Sequence, residues 1–337
     1  MLDLPQLYQK PSASLLLSTL AELSLAPLSW DDATLQSPNR KQAFDVNGLP
    51  DYLTRIIGSS LAWIEGPDMK EKVWEAASQR LSERSGRSGM SAMTRSFRIP
   101  LNFRDSSGAY GDDHIEIVIH EPALTEDNLG LKTWAASYLL AKRLTSLRTA
   151  LSHHTGVSQI LELGSGTGLV GMAAAAIFRT HAILTDLPGI VDNLELNRRA
   201  NETSIADWNG SAETAVLDWT KPSQLYTSTP AGPRSQLPIS FPLIVVADPI
   251  YSPEHPRLLV NAIKEHLSHE QHANVVIELP LRAGYGDERE DLTRRMIALG
   301  LTIVRSSVEV GYDDWGNDTD GGLAEVECEW CVWAWST

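Results

Sequence analysis

Short apolar runs alternate with amphipathic stretches over the later part of the chain. Buried strands are predicted at 160–163, 182–184, 214–217, 242–247 and 273–279. Helices are predicted between and after them, at 169–178, from 188 onward, at 254–267 and at 287–299. This alternation is typical of βα units, which build a mainly parallel sheet covered by helices on both faces. Two last strands, 302–310 and 324–335, have no helix between them and are expected to pair as an antiparallel hairpin at the sheet edge.

The first part of the chain has helical periodicity. The apolar positions that trace one helical face are Leu53, Ile56, Ile57, Leu61 and Ile64. A further helix is predicted over 69–84, and a β-hairpin is predicted from strands at 96–103 and 115–119. The segment 221–240 is rich in Pro, Ser and Thr and is expected to be a surface insertion without regular structure. We therefore expect a helical N-terminal extension at 1–94 and a main domain at 95–337.

The segment Gln159–Leu187 contains the pattern that predicts a ligand site. An apolar strand ends at Leu163, glycines recur over Gly164–Gly168, and an Ala-rich helix leads to a second strand that ends at Asp186. In a βαβ unit of this kind, the turn lies at the carboxyl end of the first strand, where doubly wound sheets bind ligands. Glycines let the backbone turn tightly and approach a ligand closely.

Three interpretations are compatible with this turn. Gly166, Gly168 and Gly171 fit the dinucleotide fingerprint of nicotinamide-dependent enzymes, and Asp186 follows about 20 residues after the first of them. Glu162 favours a second ligand, S-adenosylmethionine, because a carboxylate at the strand end would repel a pyrophosphate and attract a sulfonium and an ammonium group. The third interpretation is a tight turn with no ligand. On the electrostatic argument, the sequence favours S-adenosylmethionine.

Composition and charge narrow the classes of function. The chain has 337 residues, of which 42% are hydrophobic and 21% charged, so a packed globular protein is expected. The formal net charge of −15 argues against direct binding to nucleic acid, which requires clustered Lys and Arg. No apolar run is long enough to span a membrane, no secretory signal is evident, and two cysteines provide no disulfide framework. We therefore expect a cytoplasmic protein.

Cys328 and Cys331 have the C-x-x-C spacing of metal and redox sites. The sequence has no second cysteine pair, whereas structural zinc usually has four ligands. Because their separation is odd, the two thiols would point to opposite faces of an extended strand. We therefore expect both cysteines to be structural and no metal site to be present.

Several separated motifs resemble those of the seven-stranded methyltransferases of methyltransferase family 16, many of which methylate lysines on other proteins. The motifs are Trp134, the run Glu162–Gly168, Asp186, the pair Asp218-Trp219, and Asp248-Pro249-Ile250-Tyr251. The segments 127–134 (DNLGLKTW) and 311–317 (GYDDWGN) are similar, more narrowly, to the fungal branch that acts on translation elongation factor 2. The resemblance covers roughly 97–335. It implies an α/β fold with a seven-stranded, Rossmann-like methyltransferase sheet and a helical N-terminal extension.

The resemblance also implies a role for each matching residue, with S-adenosylmethionine as the cofactor. Asp186 would bind the ribose, and Trp219, beside Asp218, would border the adenine. Asp248 and Tyr251 would face the incoming amine and are the expected catalytic residues. The residues expected at the cofactor are Trp134, Glu162, Gly164, Ser165, Gly166, Asp186, Asp218, Trp219 and Ala247.

The expected chemistry makes particular demands on Asp248 and Tyr251. Methyl transfer is an in-line displacement, so the protein mainly positions the reactants and excludes water. The lysine must be neutral to attack, although its free pKa is ~10.4, and desolvation in a narrow pocket lowers that pKa. Asp248 would orient the amine, but a carboxylate too close to it would favour the ammonium form. Tyr251 would line the aperture and contact the cationic product through its ring.

These arguments lead to a protein-lysine N-methyltransferase as the favoured function. Its partner would be a protein substrate, with translation elongation factor 2 favoured, and the enzyme is expected to be a monomer. Two alternatives stay open at this point. One is a catalytically silent module that binds S-adenosylmethionine and scaffolds a partner, and the other is a methyltransferase that acts on a small molecule.

Overall fold

The computed structural model describes residues 4–24, 30, 48–83, 92–101, 113–123, 129–151, 157–227, 234–236, 240–314 and 323–336. These residues fall into two compact units. One unit takes its described residues from Met1–Met93, Pro122–Leu124 and Tyr312–Ala324. The other takes them from Thr94–Glu121, Thr125–Gly311 and Glu325–Thr337. The division into an extension at 1–94 and a domain at 95–337 stays a prediction.

The described residues of the first unit form three α-helices. They are α1 (Ala13–Glu22), α2 (Leu49–Ile57) and α3 (Pro67–Ser82), preceded by a short 3-10 helix at Leu7–Gln9. The Oγ of Ser12 caps α1 by accepting a hydrogen bond from the backbone N–H of Leu15 at 3.2 Å. The fully buried side chains that the three helices share as a core are Leu16, Leu20, Leu53, Ile56, Val73 and Ala77.

The predicted helical face over 53–64 is wrong beyond Ile57. The helix α2 ends there, with Gly58 as its C-terminal cap. Leu61 has a φ of +43°, in the left-handed region, so the chain changes direction before it. Leu61 and Ile64 are nevertheless buried in the helical core, because the turn brings them back onto it.

The second unit is built on a nine-stranded sheet with the order β10-β11-β9-β8-β3-β4-β5-β6-β7. The strands of this sheet are β3 (Gln159–Leu163), β4 (His181–Asp186), β5 (Ser211–Val216), β6 (Tyr226–Thr227), β7 (Arg234–Gln236), β8 (Leu243–Ala247), β9 (Asn274–Pro280), β10 (Leu301–Asp313) and β11 (Ala324–Trp335). The central strands pair in parallel, namely β3 with β4 and β8, β4 with β5, and β8 with β9. The strand β11 pairs with β9 in antiparallel orientation.

The order of the strands confirms the predicted α/β fold and places a ligand crevice. The chain proceeds from β3 toward β5 on one side of the sheet and from β8 to β9 on the other. The direction of winding therefore reverses between β3 and β8. Doubly wound sheets bind ligands outside the carboxyl ends of the strands at such a reversal.

The sheet is longer at one edge than the sequence predicted. The segment 221–240 was expected to lack regular structure, yet β6 pairs antiparallel with β5 and β7 pairs antiparallel with β6. These strands are two and three residues long and lie in a polar segment, so their apolar pattern is too short to detect.

Helices cover the sheet on both faces. They are α4 (Ala135–Leu151), α5 (Leu169–Phe178), α6 (Pro188–Ala200), α7 (Glu202–Ala206), α8 (His255–His266) and α9 (Gly286–Ala298), with short 3-10 helices at Leu129–Leu131 and Ala283–Tyr285. Every residue of α5 is buried, which explains its lack of a polar face. No helix in the described ranges is both long and apolar enough to cross a membrane.

A two-stranded sheet, β1 (Met93–Pro100) and β2 (His114–Glu121), confirms the predicted hairpin strands. Asparagine side chains on α6 and directly after it hold β2 in place of a further strand. The amide of Asn201 bonds the backbone N–H and C=O of Val118, at 2.8 and 2.7 Å. The amide of Asn197 bonds the N–H and C=O of His120, at 2.8 and 3.1 Å. These side chains satisfy an edge of β2 that would otherwise lack partners.

Candidate active site

The turn after β3 has the backbone geometry that its glycines allow. Gly164, Gly166 and Gly168 have φ values of +70°, +55° and +91°, which L side chains rarely adopt. A Cβ at Gly166 would lie 2.9 Å from the carbonyl oxygen of Gly130. The turn thus depends on glycine both for its conformation and for the close approach of the segment before α4.

Asp186, at the end of β4, closes this turn. One carboxylate oxygen accepts the backbone N–H of Gly166 at 2.8 Å, and the other accepts that of Leu187 at 2.7 Å. Burial raises the pKa of Asp186 to about 6, although both backbone N–H groups lower it. The carboxylate is held in one orientation at the mouth of the crevice and keeps lone pairs for a diol. This geometry fits the expected role at a ribose.

The backbone N–H groups of Ser165 and Gly166 already have hydrogen-bond partners within the turn. The backbone N–H of Ser165 donates to the carbonyl of Thr185 at 2.9 Å, and that of Gly166 donates to Asp186. Both groups are therefore used inside the turn. The lining of a methionine group by Gly164, Ser165 and Gly166 stays a prediction.

Glu162, whose carboxylate was expected to attract a cationic cofactor, is buried against α5. Its side chain is buried, and its Oε2 accepts the backbone N–H of Gly171 in α5 at 3.0 Å. A Cβ at Gly171 would lie 2.4 Å from that oxygen, so the third glycine of the apparent dinucleotide fingerprint makes room for this contact. Burial raises the pKa of Glu162 to about 8. The role of Glu162 at the cofactor stays a prediction.

Trp134 is positioned by a buried polar network. Glu121, at the end of β2, accepts the Nζ of Lys132 at 2.6 Å and the backbone N–H of Thr133 at 3.0 Å. The hydroxyl of Thr133 bonds that of Thr167 in the glycine turn at 2.8 Å. The indole N–H of Trp134 donates to the carbonyl of Leu129 at 3.2 Å. The hairpin therefore fixes the start of α4 against the turn.

Trp219 lies on the other side of the turn. A Cβ built on Gly164 would lie 3.2 Å from its ring, so the indole covers that glycine. Asp218 uses one carboxylate oxygen to accept the N–H and the hydroxyl of Thr220, at 2.8 and 2.7 Å. Asp218 therefore shapes the turn that presents Trp219.

Asp248 follows Ala247 at the carboxyl end of β8 and has an unusual backbone. Its φ is +49°, and its N–H donates to the carbonyl of Glu278 on β9 at 2.9 Å. Its carboxylate accepts two hydrogen bonds from the guanidinium of Arg282, at 3.1 and 2.8 Å. Only 5% of the Asp248 side chain is exposed. Ala247 lies beside the pair and is half-buried.

Tyr251 is 51% exposed and belongs to an aromatic wall. Its ring meets the edge of the His255 imidazole at 4.2 Å between centroids, and His255 in turn meets Trp219 at 6.2 Å. Burial, followed by the charges of Asp186 and Asp248, raises the pKa of Tyr251. The ring contacts connect Tyr251, on the predicted amine side, to Trp219, on the predicted cofactor side.

Arg282 and His255 complete this crevice, although the sequence analysis did not select either. Arg282 lies two residues after the end of β9, and its guanidinium lies 5.4 Å from the centroid of the Trp134 ring. The ring of His255 separates the rings of Tyr251 and Trp219. The rule that ligands bind beyond the carboxyl ends of parallel strands points to Arg282, since β9 is such a strand.

The two cysteines of the C-x-x-C pair pack into different hydrophobic clusters. Cys328 packs with Ala136 and Leu139 of α4, whereas Cys331 packs against the core of the opposite face. Burial raises the pKa of both thiols. Among the residues that the structure describes, no group of three or more His, Cys, Asp or Glu side chains could hold a metal ion.

Comparison with known proteins places the chain in a family. The family model described as lysine methyltransferase matches residues 112–290, which is more than half of the chain. Protein-lysine N-methyltransferase EFM2 of Saccharomyces cerevisiae is 35% identical over 263 residues, which cover 73% of this chain but 57% of that protein. Protein-lysine N-methyltransferase rrg1 of Schizosaccharomyces pombe is 29% identical over 331 residues, 98% of this chain and 97% of that one.

A solved structure of a putative RNA methyltransferase from Pyrococcus horikoshii is 12% identical, with a TM-score of 0.40. It covers 60% of this chain and 84% of that one. At this score the fold assignment rests on the strand order itself. The family match confirms the predicted enzyme class and S-adenosylmethionine as its cofactor. With its glycine turn and its match over 112–290, this chain belongs to the lysine methyltransferase family.

Proposed function

We propose that this protein is a protein-lysine N-methyltransferase that modifies translation elongation factor 2. The observation that carries the proposal is a series of contacts that joins Asp248 and Tyr251 to the glycine turn. Tyr251 meets His255, His255 meets the Trp219 that covers Gly164, and the Arg282 partner of Asp248 lies over Trp134. Family membership and the names of the two yeast relatives support a lysine side chain on a protein as the acceptor. Bound S-adenosylmethionine supplies a methyl group on a sulfonium, already activated for displacement.

The residues of the chain then perform positioning and desolvation. Asp186 and Trp219 hold the ribose and adenine ends, while Trp134 covers the opposite side of the turn. The carboxylate of Asp248 accepts a hydrogen bond from the ε-amine and aims its lone pair along the line of displacement. The ring of Tyr251 lines the entry and contacts the methylated, cationic product.

The aromatic wall also favours the neutral amine that the reaction requires. Trp219, His255 and Tyr251 enclose the entry with ring surface, and burial lowers the pKa of His255, so this imidazole is neutral at physiological pH. A lysine side chain that passes between these rings loses water, and its ammonium form loses part of its solvation. The released proton passes to solvent at the exposed side of Tyr251.

Elongation factor 2 is proposed as the substrate because of two segments. The stretch 127–134 and the tail 311–317 resemble the fungal branch that acts on this factor. Residues 127–128 and 315–317 lie outside the described part of the chain. A cytoplasmic location and a monomeric enzyme belong to the same proposal.

Labelling tests the acceptor class and mass analysis tests the substrate. Labelled S-adenosylmethionine is added, with and without the protein, to a lysate from cells that lack it. One or a few labelled protein bands are expected. Intact elongation factor 2 from cells that lack this protein should be lighter by one or more methyl groups than the factor from wild-type cells. Label confined to small molecules would establish a metabolite methyltransferase, and cofactor binding without any label would establish a silent scaffold.

A further inference from the structure

Asp248 and Arg282 form an ion pair at the place where the lysine is expected to enter. The two hydrogen bonds between their side chains measure 3.1 and 2.8 Å, which is the bidentate geometry that arginine and carboxylate groups prefer. The carboxylate is almost fully buried, whereas 36% of the Arg282 side chain is exposed. The pair therefore has a closed side toward the sheet and an open side toward the crevice.

Both partners are held from outside the pair. The N–H of Asp248 is fixed to the carbonyl of Glu278, and the carbonyl of Arg282 accepts the Nη1 of Arg289 at 2.8 Å. The guanidinium also lies over the Trp134 ring, a favourable arrangement for a cation. Arg282 therefore does not swing freely, and its charge remains beside the carboxylate.

The charge of this pair matters because the substrate amine has to be neutral. An isolated carboxylate within hydrogen-bonding distance of a lysine favours the ammonium form and raises the lysine pKa, by about 1–3 units at close range. A nearby guanidinium has the opposite effect. A carboxylate that already carries a guanidinium can still accept a hydrogen bond from the amine, but its attraction for a proton on that amine is largely offset.

We propose that Arg282 is a positioning residue that neutralises Asp248, so that the substrate lysine is oriented by this carboxylate without being held as an ammonium ion. The inference rests on the proposed lysine methyltransferase function. It removes the conflict between a carboxylate near the amine and the need for a neutral nucleophile. It assigns a role to a residue that touches Asp248 rather than the reacting atoms.

Other titratable groups around the crevice do not replace Arg282. Those that face it are Asp186 from β4, Tyr251 and His255 from the segment after β8, and Tyr285 from the 3-10 helix after β9, whereas Glu278 of β9 and Cys328 of β11 are fully buried. Asp186, when ionised, adds negative charge, and burial keeps the pKa of Glu278 well above its usual range, so that this carboxyl is neutral. Arg282 is the cation that contacts Asp248 among the hydrogen bonds of the described residues.

The test is the pH dependence of kcat at saturating substrate, which reports groups in the enzyme–substrate complex. The variants are Arg282→Gln and Arg282→Lys. The matched control is Arg294→Gln, at an exposed position of α9. Elongation factor 2 from cells lacking this protein is the substrate. If the wild-type enzyme does not methylate it, the protein band labelled in the lysate replaces it. Thermal unfolding and S-adenosylmethionine binding are measured for every variant.

Arg282→Gln should move the rising limb of the profile upward by about one pH unit or more. The rate would then be about tenfold lower near pH 7.5 and recover at higher pH. Arg282→Lys keeps the charge and should keep the wild-type profile with a lower rate, and Arg294→Gln should change nothing.

A rate loss in Arg282→Gln that is equal at every pH would overturn the proposal. So would a shifted profile in Arg282→Lys, which decides the question even if the Gln variant does not fold. A wild-type enzyme that binds the cofactor but labels no protein would reject the proposed function instead, so the two failures are distinguishable.

Discussion

The glycine turn after β3 and the Asp248–Arg282 pair after β8 lie at the same edge of the sheet but are built differently. In the turn, residues 164–168 and Asp186 satisfy one another through backbone groups within one βαβ unit. In the pair, side chains 34 residues apart meet across β8 and β9. The first region is specified by consecutive residues, whereas the second requires the completed sheet. We therefore expect the two regions to fail differently when they are mutated.

Asp248→Asn should have the largest effect and should leave the turn intact. The substitution removes the orienting charge and deprives Arg282 of its partner, so kcat should fall by about 100-fold. Affinity for S-adenosylmethionine, measured by calorimetry, should change by less than about twofold. Asp287→Asn, on the exposed first turn of α9, is the control. Wild-type turnover in Asp248→Asn would mean that another group orients the amine.

Gly166→Ala should show the opposite pattern. A side chain at a φ of +55°, with its Cβ 2.9 Å from the Gly130 carbonyl, strains the turn. At about 1–2 kcal/mol of strain, the dissociation constant for S-adenosylmethionine should rise by roughly 5- to 30-fold. The control is Gly189→Ala, because a Cβ there meets open space. If kcat at saturating cofactor fell as steeply as affinity, the two regions would not be separable.

Glu162→Gln should change stability rather than binding. The pKa of Glu162 is about 8 in the folded protein against a reference of 4.5, so between these values the folded state retains a proton that the unfolded state has lost. The stabilisation is therefore complete below about pH 4.5 and is lost as the pH rises toward 8, by at most ~1.4 kcal/mol per unit.

Denaturant unfolding from pH 5 to 8 measures this slope. The Gln variant should show a flatter dependence than wild type, with Glu290→Gln on exposed α9 as the control. Parallel curves for wild type and variant would show that Glu162 is ionised in the folded protein. In that case Glu162 would carry the negative charge that is expected to attract S-adenosylmethionine.

Removal of metal should have the smallest effect, because the cysteines face opposite sides of β11 and belong to neither region. Dialysis against a strong chelator should leave kcat and the cofactor dissociation constant within about twofold of their starting values. A large loss that zinc restores would show that ligands beyond the described residues complete a site.

Much of the fold could be predicted because burial leaves a local pattern. The central strands are short apolar runs, and the glycine turn and the acids at the carboxyl ends of β3, β4 and β8 are visible as residue types. The edge strands β6 and β7 could not be predicted, since pairing with β5 and not composition orders them. The predicted extension of α2 beyond Ile57 was wrong because tertiary packing buries Leu61 after the helix has ended.

The sequence by itself determined the order of strands and helices, the glycine turn, and the presence of a carboxylate at the end of several strands. Only the tertiary structure decided what each carboxylate does. Glu162 is buried against α5, Asp186 is held by backbone N–H groups, and Asp248 is paired with Arg282. The physical reason is that periodicity is local, whereas the charge state of an acid depends on desolvation and on partners that folding brings from distant positions.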